Sequence, residues 1–197
     1  AYFIATRPAR WRSVFIFLLV IPFWTNFLIR TYAWLALLRN NTGLINTTLL
    51  HLGLIQKPLA LFGNDFAIVL GLVYGWLPDM VLPIYAALDR MDKSLVEAAH
   101  DLYADHLHTF LRVVWPLSLP GVIAGSMLVF IPSLGAFITP AILGGGKSVM
   151  IGNIINSQFL TARDWPFGSA LSVLTMAFIL AATLLYFRIS ARQELLQ

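Results

Sequence analysis

The chain has 197 residues, of which 59% are hydrophobic and only 11% are Asp, Glu, Lys or Arg, and its mean hydropathy is +0.80. Globular proteins carry about 25% charged residues, so these are too few to cover a water-soluble surface. That excludes an ordinary soluble enzyme and a nucleic-acid binder, although the net charge is +4, and the absence of cysteine excludes disulfide scaffolds, thiolate metal sites and cysteine nucleophiles. The composition predicts an all-α, polytopic transmembrane helical bundle forming one domain over residues 1–197.

Ala1 to Thr6 reads as the tail of an earlier apolar segment, because it is too short to span and lacks the basic-then-apolar order of a signal peptide. The expectation is therefore that an upstream piece precedes it. The first span is expected over 13–38: Ser13 to Ile29 carries no charge, and the apolar run resumes after Arg30. At 1.5 Å per residue this exceeds the ~30 Å hydrocarbon core. Gly43 to Leu54 sets Leu44, Ile45, Leu49, Leu50 and Leu52 among Asn and Thr, which suits a short helix at the membrane interface. Its Asn40 and Asn46 sequons are short, common patterns, read here as chance.

The second span is expected over 66–88, interrupted by Pro78, Asp79 and Pro83, with a loop over 89–115 after it. A third is expected over 116–142, inside a charge-free run from Val113 to Gly146, and a fourth over 167–187. Between the last two, Gly144–Gly146 through Pro166 reads as an outer connection of about 20 residues, a length at which irregular loops usually carry function.

Basic residues set the orientation. Arg7, Arg10, Arg12, Arg90, Lys93, Arg112, Arg188 and Arg192 fall on one side, against Arg39, Lys57, Lys147 and Arg163 on the other. The first group is expected to be cytoplasmic, which puts both ends of this chain on the cytoplasmic side of the membrane.

Gly146-Lys147-Ser148 resembles the end of a phosphate-binding loop, but Ala141 stands where the pattern needs its first glycine, and no strand precedes it. A hinge is the better reading. His100, His106 and His108 cluster without orderly ligand spacing, so no metal is expected. No Ser/His/Asp or paired-carboxylate set shares a dry location, and no enzyme activity or cofactor is expected on this chain.

The loop over 89–115 is the informative region. Ser94-Leu95-Val96-Glu97 reads as a capping box, after which Leu95, Ala98, Ala99 and Leu102 share one helix face. A second apolar face is expected at Leu107, Phe110, Leu111 and Val114. Two short amphipathic helices suit docking into a partner's groove. The pattern leaves equally open a loop folded back on its own bundle.

Asp79 lies 13 residues into the second span, about 20 Å deep for a straight helix. An intramembrane carboxylate is a functional-site candidate. Arg30 is placed about 26 Å up a straight first span, near the outer interface, where it can snorkel without a buried partner. Asp79 would then face a water-filled pathway, a basic group on an unseen helix, or a substrate, with Tyr74, Trp76 and Tyr85 offering cation–π attraction to a cation. A structural hydrogen bond at the Pro78 kink is the alternative.

Glu97-Ala98-Ala99, followed by Val113 and Pro116, resembles the EAA loop of type I ABC importer permeases. Three positions depart from that pattern: Tyr103 stands at the usual glycine, Val113 at isoleucine and Trp115 at leucine. Glycine would allow a positive φ between the two short helices, which a bulky residue adopts only with strain. Further stretches look like the spermidine/putrescine branch: Ile21-Pro22-Phe23-Trp24-Thr25-Asn26 with Ile29-Arg30, Leu82-Pro83, Ile151-Gly152-Asn153, and Arg163 to Gly168.

The resemblance implies a permease working with two ABC ATPase subunits that hold ATP and Mg, a second homologous permease, a periplasmic binding protein and the lipid bilayer. It implies ATPase coupling through Glu97, Ala98, Ala99, Leu102, Tyr103, Phe110 and Pro116, and within that reading Ser133–Pro140 and Gly144–Gly146 are the candidates for an outer gate. Neighbouring branches of the family carry iron(III), thiamine or phosphonates. The family normally has six spans, so the first and most of the second would be absent from this chain, and four alone would not make a working half-pore. The rival reading is an ion-coupled secondary transporter in which Asp79 holds the coupling cation.

Overall fold

The computed structural model describes residues 1–92 and 94–194, and within them the chain is all-helical. Lys93 and the side chain of Arg192, both assigned to the basic side above, lie outside the described residues. The helices are α1 (Tyr2–Ala5), α2 (Ala9–Val20) with a 3₁₀ turn at Ile21–Trp24, α3 (Phe27–Leu38), α4 (Leu44–His51), α5 (Asp65–Gly75) and α6 (Leu77–Asp89). After them come α7 (Ser94–Asp101), α8 (His106–Thr109), α9 (Trp115–Leu134), α10 (Ile138–Leu143), α11 (Ile151–Ser157) and α12 (Trp165–Glu194). A π-helical turn at Phe110–Val114 joins α8 to α9, and another at Gln158–Ala162 follows α11.

Two helices are long and apolar enough to cross a membrane, His106–Leu134 and Trp165–Tyr186; two bent pairs raise the number to four if each counts as one span. The stretch expected as one straight span over 13–38 is two helices meeting at 92°. The break has a local cause. Pro22 sits in the 3₁₀ turn, Thr25 is extended, and Asn26 Oδ1 accepts a hydrogen bond from the Leu28 amide at 2.8 Å, starting a new helix. The second stretch is likewise bent, by 48° between α5 and α6. The third helix starts ten residues before the expected 116 and stops at Leu134, where Gly135 intervenes before α10. The expected irregular connection over 144–166 contains α11 and a π turn instead, because Ile151, Ile154 and Ile155 recur at helical spacing.

The chain divides into two compact units, Ala1–Arg30 with Leu72–Phe130, and Thr31–Gly71 with Ile131–Gln197. In the first, α6 and α9 pack through glycine. A Cβ on Gly121 would lie 2.5 Å from the Pro83 carbonyl oxygen, and one on Gly125 would lie 3.0 Å from Met80 Sδ. This small-residue stripe lets two apolar helices approach where lipid supplies no hydrophobic drive for packing. Arg12 pairs with Asp89, tying the start of α2 to the end of α6. Ile4 is buried, and Tyr2 meets Phe110 edge-to-face at 5.7 Å.

In the second unit, Leu38, Ala67 and Leu143 form a buried cluster, with Ile45, Leu61 and Phe62 packed against it. Two asparagines staple the segment between α3 and α5. Asn46, fully buried, donates to the carbonyls of Asn40 (2.9 Å) and Leu59 (2.8 Å) and accepts from the Leu59 amide (2.9 Å). Asn40 exchanges the same pair of bonds with Phe62. Each amide side chain satisfies backbone groups that would otherwise be buried unpaired. Ser148 donates to the Asp65 carboxylate, and the Gly63 amide donates to the Leu143 carbonyl at 3.1 Å.

Candidate functional site: the α6–α9 loop and the helix breaks

The loop between α6 and α9 forms the short helices expected of it, with two corrections. The capping box does not set the start of α7. Asp92 Oδ1 accepts from the Ser94 amide at 3.0 Å, so a carboxylate two residues earlier provides the cap, and a charged acceptor outcompetes a hydroxyl for that role. Hydrogen bonds from the Ser94 amide and then its hydroxyl hold the Asp92 carboxyl below its usual range. Asp105 caps α8 in the same way. Its Oδ1 accepts from the His108 amide at 2.7 Å and meets the His108 ring nitrogen at 2.7 Å, and these bonds lower its pKa.

The second correction concerns the expected face of Leu107, Phe110, Leu111 and Val114, which is split. Val114 is buried and Phe110 partly so, whereas Leu107 and Leu111 are exposed. The π turn over Phe110–Val114 is the reason, since its wider turn rotates the register away from 3.6 residues. Thr109 Oγ1, at its start, is buried without a hydrogen-bond partner.

Between α7 and α8 the chain turns through Tyr103, whose φ is +58°. Tyrosine thus adopts the left-handed conformation that glycine would take without strain. Its ring is 99% exposed and the neighbouring Leu102 is 81% exposed. Leu95 and Ala98 also face outward, while Val96 and Ala99 are half-buried and Glu97 is exposed. Pro116, one residue into α9, is exposed too. The three histidines do not converge. His100 and His106 meet edge-to-face at 5.3 Å, while His108 is engaged by Asp105.

The four candidate pathway residues are spread over the α5–α6 break. Trp76 is the N-cap of α6, with Pro78 and Asp79 in the first turn. Asp79 is exposed and shares its side of α6 with the exposed Leu82 and Ala86. Tyr85 lies about 120° round the helix from Asp79. Pro83 has no N–H to give the Asp79 carbonyl, so this residue presents both a carboxylate and a carbonyl freed from the helix ladder. Among the described residues no ion pair joins Asp79 to Arg30.

Tyr74, at the end of α5, stacks on Phe23 with centroids 5.3 Å apart and planes at 30°. Arg30 does not snorkel into open water as a straight span would have it. The bend brings its guanidinium 4.5 Å over the Phe23 ring and 5.6 Å over Phe27, with Nε and Nη1 buried and without a hydrogen-bond partner. Phe23 and Phe27 were not singled out from sequence, although Phe23, Phe27 and Arg30 recur at intervals of four and three, the spacing of one helix face.

Residues 3–194 match the family described as binding-protein-dependent transport system inner membrane component, and the chain belongs to that family. It is 45% identical over 191 residues to the spermidine/putrescine transport system permease protein PotB of Escherichia coli, covering 96% of this chain and 69% of that protein. It is 40% identical over 188 residues to the protein of the same name from Haemophilus influenzae, covering 95% and 65%. The inner membrane ABC transporter permease protein YdcU of Escherichia coli is 34% identical over 191 residues, covering 90% and 60%. The chain thus spans about two thirds of the length of such relatives.

Proposed function

We propose that this chain is a transmembrane portion of a permease subunit in an ATP-driven polyamine importer of a bacterial inner membrane. It would work beside a second permease, two ATPase subunits and a substrate-binding protein. The α6–α9 loop is its cytoplasmic docking element, and ATP is hydrolysed on the partner subunits. The observation that carries this reading is the outward-facing tip of that loop. Leu95, Leu102 and Tyr103 are exposed next to Glu97 and are held by two aspartate-capped helices rather than folded onto their own bundle. A rigid apolar tip on a charged loop is the shape that enters a partner's cleft. The polyamine assignment is supported by the 45% identity to a spermidine/putrescine transport system permease protein.

In this reading, closure of the ATPases moves α7 and α8 and is passed to α9, which continues from α8 through the π turn without a break. Asp79 supplies negative charge to a polycation along the pathway. The test is ATP hydrolysis by the full-length complex in nanodiscs with its binding protein, titrated with spermidine, putrescine, thiamine and iron(III). Stimulation by polyamines alone is expected. Stimulation by another solute would keep the importer and discard the polyamine. Uptake indifferent to ATP and abolished by an uncoupler would replace both with ion coupling at Asp79.

A further inference from the structure

Arg30 is the least satisfied charge in the first unit: two of its guanidinium nitrogens are buried with no hydrogen bond, and no carboxylate lies against it among the described residues. What surrounds it is aromatic. The guanidinium sits over Phe23 and Phe27, and Tyr74 stacks on Phe23 and fixes that ring. A cation over aromatic faces gains a modest attraction, whereas each donor buried unpaired forfeits the hydrogen bonds it had with water. The rings therefore hold the guanidinium without satisfying these two nitrogens, so another cation can replace it.

The place also matters. The rings flank the 92° break at Thr25–Asn26, with Trp24 75% exposed beside it. Non-helical backbone at membrane depth persists only where protein covers it or water reaches it. An aromatic surround without a carboxylate favours organic ammonium groups over small, strongly hydrated metal cations.

We propose that Phe23 and Phe27, with Tyr74 stacked on Phe23, form a cation site for an ammonium group of the transported amine, and that Arg30 occupies this cage as a tethered stand-in when substrate is absent. The proposal rests on the polyamine reading for its ligand, though not for its geometry. An arriving ammonium displaces the guanidinium, which regains water for its unpaired N–H groups. Arg30 thereby sets how tightly the cage takes its guest.

The test is equilibrium binding of radiolabelled spermidine to the full-length complex in nanodiscs without the binding protein, with methylguanidinium as a second probe. Arg30→Met is expected to bind spermidine at least fivefold more tightly than the wild type, and Arg30→Lys to bind like the wild type. Adding Phe23→Leu to Arg30→Met should return binding to the wild-type level. Arg30→Gln provides the same test should the methionine variant fail to assemble; failure of both would make Arg30 a structural residue and overturn the proposal. Unchanged or weaker binding in an assembled Arg30 variant, in a complex whose ATPase responds to spermidine, would overturn the cage and keep the polyamine. Tighter methylguanidinium binding in a complex whose ATPase ignores polyamines would keep the cage and discard the polyamine. If both probes leave the variant indistinguishable from the wild type, the cage is wrong whatever the solute.

Discussion

Gly121 lies against the Pro83 carbonyl oxygen so closely that a methyl group on it would stand 2.5 Å away, with Ala87 Cβ at 2.8 Å. Because the obstacle includes backbone, no rotamer change relieves it. Gly121→Ala should force α6 and α9 apart and destabilise the fold by about 1–3 kcal/mol, the usual cost of overpacking. A thermal melt of the detergent-solubilised complex checks this. Gly53, whose added Cβ meets nothing within 4 Å, has a φ of +68°, so its alanine variant probes backbone strain without a clash.

Tyr103 holds a left-handed conformation that costs a non-glycine residue about 1–2 kcal/mol. Tyr103→Gly should therefore raise the stability of the α7–α8 turn by up to about that amount, less the extra entropy of an unfolded glycine. Tyr103→Val should destabilise it, since a β-branched residue tolerates positive φ least. Hydrogen exchange of the amides over 98–106 reads both. If the exposed ring also enters a partner's cleft, the glycine variant becomes more ordered yet couples ATP hydrolysis to transport less well.

Asn46→Ala would leave the Leu59 amide and the carbonyls of Asn40 and Leu59 without their partner. Each such loss costs about 1–3 kcal/mol in a buried site. The segment over 52–64 should loosen, seen as faster exchange of the Leu59 amide, while exchange along α12 stays unchanged.

Asp92 and Asp105 have carboxyl pKa values lowered by the hydrogen bonds they accept. A folded-state pKa below the unfolded one contributes stability at pH above the unfolded value, and this is lost as pH falls through the folded one. The first turns of α7 and α8 should therefore fray only below about pH 4. Exchange over 94–101 and 106–109 should be flat from neutral pH to that point, once corrected for intrinsic rates. Asp92→Asn should remove the α7 part of the acid transition.

Much of this architecture was legible from residues alone. The apolar stretches fall where the two long helices and the two bent pairs lie, and the spacing from Glu97 to Pro116 marked the loop whose turn lies at Tyr103, where glycine would have supplied the positive φ. The breaks were harder to read. Thr25-Asn26 is a helix start signal, but it sits in a run apolar enough to read as one span. The π turn at Phe110–Val114 has no sequence signature, because an extra residue in a turn is settled by packing around Val114. Asp92 was passed over because Ser94 and Glu97 completed a familiar pattern two residues later. The aromatic surroundings of Arg30 were within reach of the sequence, since Phe23 and Phe27 stand at helical spacing from it, but an estimate of its depth alone passed over them.

The 92° break carries a consequence for how this stretch holds its shape. Ala9–Trp24 extends about 24 Å and Phe27–Leu38 about 18 Å, so neither half alone crosses the ~30 Å hydrocarbon core. Only the two halves together are long enough to cross, and a break inside such a stretch persists only where protein or water covers its backbone. Asn26 satisfies the Leu28 amide, and the remaining first amides of α3 depend on their surroundings. The stretch therefore cannot complete its hydrogen bonding by itself, as a straight helix would, and its shape is tied to the packing around Thr25–Asn26.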